Sequence, residues 1–77
     1  SLLEKGIDKI GAFNVTDIRT FYFKNMLNGL KFILGDIRWL LIRSSETEPI
    51  IRFYAEGESL EEAKMHVQSG IKLLKAV

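Results

Sequence analysis

Seventy-seven residues form one domain with a modest core, and an apolar fraction of 47% is too high for a disordered chain. The net charge of +1 gives no overall field to draw the chain to nucleic acid or to a membrane, so any charge-based function must be local. Cysteine is absent and His66 is the only histidine, which excludes disulfides, thiol chemistry and a zinc site of the usual Cys/His kind. A reducing, cytoplasmic setting is the natural expectation. No apolar run approaches a membrane span. The chain does not start with Met, and a processed or excised piece of a longer polypeptide is expected.

Leu3, Ile7 and Ile10 recur at helical spacing ahead of Gly11, which predicts a short helix over about residues 2–10, weakened by Gly6. Asn14 to Phe23 is rich in Val, Ile, Thr, Phe and Tyr and reads as a strand, its imperfect alternation implying a bulge or an early end. Residues 24–29 read as a loop closed by the Asn28-Gly29 turn. Leu30–Leu34 and Ile37–Ile42 then flank Gly35-Asp36, a two-residue connection suited to a tight hairpin. The polar stretch Arg43 to Pro49 interrupts before a fourth strand, Ile50 to Glu56.

Ser59 followed by Glu62 is a capping box, and a helix is predicted from about 59 to 76. Leu60, Ala63, Val67, Ile71 and Leu74 form its apolar stripe. Acids at its start and Lys72 and Lys75 at its end suit the helix dipole. His66 falls between stripe positions and is expected at the surface or boundary. The predicted fold is thus α+β: one domain over residues 1–77, a four-stranded antiparallel sheet with two helices packed on one face.

The turn Arg43-Ser44-Ser45-Glu46-Thr47-Glu48-Pro49 is the candidate for chemistry. Arg43 ends one strand and Arg52 lies just inside the next, so a short antiparallel connection brings two guanidinium groups to one mouth. Like charges that close repel unless an anion lies between them. The guanidinium fork also matches phosphate oxygens two at a time. Ser44, Ser45 and Thr47 add hydroxyl donors, backbone N–H groups of the turn could form an anion nest, and Pro49 stiffens its exit. The other reading is a solvated turn in which Glu46 and Glu48 neutralise Arg43 and Arg52. Spacing alone does not choose between them.

The longer string through Ile50-Ile51-Arg52-Phe53-Tyr54-Ala55-Glu56 resembles the C-terminal phosphate-binding loop of the α-D-phosphohexomutases, the phosphoglucomutase/phosphomannomutase family, whose pattern is Arg-Pro-Ser-Gly-Thr-Glu-Pro, two residues, then Arg. Asn28-Gly29-Leu30-Lys31-Phe32 is similar to that family's Asp-Gly-aliphatic-Lys strand, and Trp39-Leu40-Leu41-Ile42-Arg43 to its approach to the loop. The resemblance covers Asn28 to Val77 well and the first third loosely.

It implies a four-domain parent enzyme. A phosphoserine in the first domain would exchange phosphoryl groups with a hexose phosphate, assisted by Mg2+ on an Asp-rich loop. The fourth domain would hold the substrate's non-reacting phosphate and so position the sugar. By matching position, Arg43, Ser45, Thr47 and Arg52 would be the phosphate ligands, with the backbone N–H of Glu46 as a further contact. Ser44 replaces the usual Pro, and Glu46 stands where Gly or Asn is usual. A positive φ there would cost Glu about 1 kcal/mol or more. No Asp-rich metal loop and no recognisable catalytic serine are present, so binding without catalysis is expected of this piece, with no catalytic residue, metal ligand or cofactor of its own. The expected partners are the hexose phosphate and the remaining domains of the parent. The competing class is a free-standing anion-binding or interaction module.

Trp39, Phe32, Phe53 and Tyr54 invite comparison with the base-stacking sheet of RNA-binding domains, but the near-neutral charge favours packing roles. Met26 and Leu27, in a predicted loop, are candidates either for contact with the rest of a parent enzyme or for a simple hydrophobic plug.

Overall fold

A computed structural model describes residues 6–45 and 47–76. Two short strands, β1 (Lys9–Ile10) and β2 (Phe13–Asn14), pair antiparallel as a small hairpin. The strands β3 (Asp17–Phe23), β4 (Met26–Ile33), β5 (Trp39–Ser44) and β6 (Ile51–Glu56) then form one antiparallel sheet in the order β3-β4-β5-β6. Helix α1 (Leu60–Lys75) closes the chain.

The four-stranded sheet and the C-terminal helix agree with the sequence reading; the second helix does not. Of the helix predicted over residues 2–10, residues 1–5 lie outside the described residues and the rest is not helical. Gly6 stands at φ 64°, a conformation through which a right-handed helix cannot pass. Gly11, at φ 60°, turns the β1–β2 hairpin instead of ending a helix. Ile7 and Ile10 still reach the core, Ile10 fully buried, so their spacing reported burial but not its geometry.

The loop predicted over 24–29 is also corrected. Lys24 and Asn25, both at positive φ, make a two-residue turn between Phe23 and Met26 of the type that follows strand twist. The Asn28-Gly29 pair serves a bulge within β4: Phe21 faces Gly29 while Tyr22 faces Leu27, leaving Asn28 as the extra residue. The next connection is longer than Gly35-Asp36. Leu34 N–H donates to the Arg38 carbonyl across Gly35–Ile37, and β5 starts at Trp39 rather than Ile37.

Alternation divides the sheet into two faces. Leu30 and Phe32 of β4 and Leu40 and Ile42 of β5 are buried, with Phe53 and Ala55 of β6 packed against them. Leu73 and Leu74 of α1 and Phe13 and Val15 from the N-terminal hairpin complete this side. The opposite face carries Arg19, Lys31, Trp39, Leu41, Arg43, Arg52, Tyr54 and Glu56 by register, and no described element covers it.

The helix presents a different centre from the predicted stripe. Leu60 is 72% exposed, whereas His66 and Gly70 are buried. Gly70 sits where an added Cβ would come within 3.0 Å of Leu40 Cδ2 and 3.3 Å of Phe53 Cδ1, so the absent side chain lets the helix settle onto β5 and β6. The expected surface histidine is corrected: His66 is 1% exposed, its ring edge-on to Phe13 at 5.0 Å. Burial is tolerated because Nε2 lies 3.1 Å from the Glu62 carboxylate one helical turn earlier.

Glu62 is the hub of that end of the sheet. Its N–H donates to Ser59 Oγ at 3.0 Å, the expected cap, while its carboxylate accepts from Glu58 N–H at 3.3 Å rather than from the cap residue. Arg38 Nε donates to the same oxygen at 2.8 Å, and Arg38 also bridges Glu58 at 2.9 Å while lying 4.9 Å over the Phe13 ring. Burial alone would push the Glu62 carboxyl up; the hydrogen bonds from Arg38, His66 and Glu58, with the Arg38 charge, outweigh it and hold the carboxyl below its ordinary value.

Candidate phosphate-binding site

The β5–β6 connection lies at the opposite end of the sheet from Glu62. In the antiparallel register Arg43 and Arg52 are directly opposite, with Ser44 facing Ile51 and Leu41 facing Tyr54. A cross-strand pair of like charges is destabilising on its own. The register sets both guanidinium groups on one sheet face, beside the loop.

Arg43, Ser45, Thr47 and Arg52, the four side chains expected from sequence, line one open depression of about 200 Å³, together with Ser44 and Tyr54. That is smaller than the ~300–1,000 Å³ of sites that enclose a whole small molecule, and it suits one end of a ligand. Arg43, Thr47 and Arg52 are exposed and Ser45 is half-buried, so the donors stand on the rim and the wall. Glu46, the expected backbone contact, lies outside the described residues.

The loop is braced from within. Ser45 N–H donates to the Ile50 carbonyl at 3.0 Å, extending the β5–β6 ladder one step beyond Ser44. Ile50 N–H donates to the Glu48 carbonyl at 2.8 Å around Pro49, and Thr47 N–H points to Ser45 Oγ at 3.4 Å. Ser44 Oγ donates to the Asn28 carbonyl at 3.3 Å, tying the end of β5 to the β4 bulge. The N–H groups of Ser45 and Ile50 are thus engaged within the loop, and Pro49 has none.

The ion-paired alternative finds little support at one of its two pairs. No ion pair joins Glu48 to Arg52, and among the described residues no carboxylate pairs with Arg52. Asp17 is engaged with Arg19 at 3.7 Å and accepts from Ile18 N–H. The aromatic platform does not form as a set. Phe32 is buried and Phe53 faces the helix, while Trp39 and Tyr54 stand on the open face.

Tyr54 is the site residue that the sequence reading missed. It lies two residues from Arg52 on the same strand, and strand periodicity puts both on one face. Among the described residues no three His, Cys, Asp or Glu side chains come together to hold a metal ion, and no helix is long and apolar enough to cross a membrane.

The chain was compared with known proteins. The family model for the phosphoglucomutase/phosphomannomutase C-terminal domain matches residues 5–69. A phosphoglucomutase/phosphomannomutase of Thermococcus kodakarensis is 48% identical over 48 residues, covering 62% of this chain and 10% of that protein. A phosphoglucosamine mutase of Methanocaldococcus jannaschii is 43% identical over 49 residues, covering 64% of this chain and 11% of its own length. A probable phosphoglucosamine mutase of Methanothermobacter thermautotrophicus is 42% identical over 40 residues, with 52% and 9% covered. The chain thus spans about a tenth of the length of these relatives. No solved structure matches it. With the family model matching most of the chain, and a sheet, helix and arginine-bearing loop in the order its motifs imply, the protein belongs to the phosphoglucomutase/phosphomannomutase C-terminal domain family.

Proposed function

We propose that this domain grips the phosphate of a hexose phosphate through Arg43, Ser45, Thr47 and Arg52, as the substrate-holding part of a phosphohexomutase. The observation that carries the reading is the direct opposition of Arg43 and Arg52 at the mouth of a depression that Ser45 and Thr47 also line. Two guanidinium groups and two hydroxyls supply donors around a tetrahedral dianion. At roughly 1.5–3 kcal/mol for each charge-assisted bond, three or four such bonds hold one end of a larger substrate but bind free phosphate only weakly after association costs.

The domain's contribution to the reaction is positioning. Fixing one phosphate of a sugar orients the other end toward a reactive group elsewhere in the parent enzyme. Phosphoryl transfer and any Mg2+ belong to that remainder, and the isolated domain is inactive. The β3–β4 hairpin next to the loop presents Tyr22 and Met26 at 61% and 73% exposure, an apolar tip suited to contact with a neighbouring domain. A cytoplasmic setting accords with a phosphorylated substrate.

The test is a titration of the chain with glucose 1-phosphate followed by backbone amide shifts. Amides of residues 43–52 should move first and saturate in the millimolar range. Shifts confined to other surfaces would reject the site.

A further inference from the structure

The depression holds one wall that phosphate chemistry does not require. Its donors come from the loop and the two arginines, and its remaining side is the Tyr54 side chain, 44% exposed on the open sheet face. Tyr54 lies about 7 Å along β6 from Arg52, by the rise of two strand residues. Its cross-strand neighbour is Leu41, so ring and aliphatic chain form a small apolar floor beside the charged mouth. Of the other rings on this face, Phe21 of β3 lies outside the depression, and Trp39 is already engaged: Lys31 Nζ lies 4.4 Å from its centre and its Nε1 donates to Glu56 Oε1 at 2.9 Å. Among the described residues the Tyr54 hydroxyl has no hydrogen-bond partner.

A phosphate seated between Arg43 and Arg52 has the loop on one side and Tyr54 on the other. The loop side is taken up by Ser45 and Thr47, which leaves the Tyr54 side for whatever the phosphate is esterified to. We infer that Tyr54 is a specificity-determining residue, its ring packing against the carbon skeleton next to the phosphate and so favouring sugar phosphate esters over free phosphate. The inference rests on the phosphate site proposed above. A pyranose suits it, because one face of the ring presents C–H groups that pack on an aromatic surface while its hydroxyls stay in water.

Inorganic phosphate and glucose 6-phosphate, each titrated into the wild-type chain, Tyr54→Ala and Tyr54→Phe with amides 43–52 as the readout, test this. Tyr54 points away from the core, so both variants keep the fold, which the helical circular dichroism signal verifies. In the wild type glucose 6-phosphate should bind more tightly than inorganic phosphate by roughly three- to tenfold, the worth of a few tens of Å² of apolar surface removed from water. Tyr54→Ala should erase that advantage, bringing the two affinities level, and Tyr54→Phe should retain it. The inference is overturned if the wild type shows no preference for the ester, if Tyr54→Ala keeps it, or if Tyr54→Phe loses it as Ala does; the phosphate site survives each of these results. Failure of both ligands to move amides 43–52 would instead remove the site and this inference together.

Discussion

Glu62 shows how one side chain can organise a region. Its carboxylate accepts from Arg38, His66 and the Glu58 amide, while its own N–H is held by Ser59. These contacts join the start of β5, the strand-to-helix connection and the helix, with Phe13 stacked beside them. Because the folded-state carboxyl is held below its ordinary value of 4.5, its contribution to stability is complete above that pH. That contribution is lost as pH falls through the lower, folded-state value. Glu62→Gln should therefore lower the urea midpoint at pH 7, where Arg38 loses one of its two charged partners. It should also flatten the fall in stability between pH 5 and pH 3 relative to the wild type. Parallel acid profiles for the two proteins would contradict this role. The network was hidden in the sequence because Arg38 and Glu62 lie 24 residues apart. The i,i+4 spacing of Glu62 and His66 went unread, and that contact is what makes a buried histidine tolerable.

At the scale of elements, the helix depends on a residue that propensity disfavours. Gly70 costs a helix roughly 1 kcal/mol relative to Ala, yet an added methyl group would meet fully buried Leu40 at 3.0 Å and Phe53 at 3.3 Å, so both would have to give way. Overpacking a formed core costs about 1–3 kcal/mol, more than the propensity gain. Gly70→Ala should lower the melting temperature, by about 4–8 °C per kcal/mol for a domain of this size. A rise would mean that the helix can lift off the sheet at no cost.

The strands of the sheet were legible because their alternation and β-branched content are strong local signals. The hairpin turns were less so, since Asn28-Gly29 has turn chemistry but is used in a bulge, while Lys24 turns at a φ that few lysines adopt. The N-terminal hairpin was read as a helix because Ile7 and Ile10 are spaced for either, and only the backbone at Gly6 and Gly11 decides. Arg43 and Arg52 could be placed together from sequence because a short antiparallel connection fixes their register. Tyr54 follows from the same period of two but carries no charge to draw notice.

For the whole molecule, the architecture separates the packed side of the sheet from the candidate site. The helix and N-terminal hairpin cover one sheet face, the Glu62 cluster locks one end, and the arginine-bearing loop occupies the other end of a face that no described element covers. The Arg43–Arg52 pair thus lies away from the Glu62 cluster. The open face also carries Arg19 on β3, an exposed arginine outside the depression and engaged with Asp17. It provides an internal control for charge alone. The most direct test of a built phosphate site is the affinity for glucose 6-phosphate of the wild type, Arg52→Ala and Arg19→Ala at one fixed salt concentration. Loss of Arg52 should weaken binding by roughly ten- to a hundredfold, the worth of one charge-assisted interaction, with the fold intact, while loss of Arg19 should leave binding almost unchanged. Equal weakening by the two substitutions would show a diffuse basic face rather than a site, and unchanged binding without Arg52 would contradict the account outright.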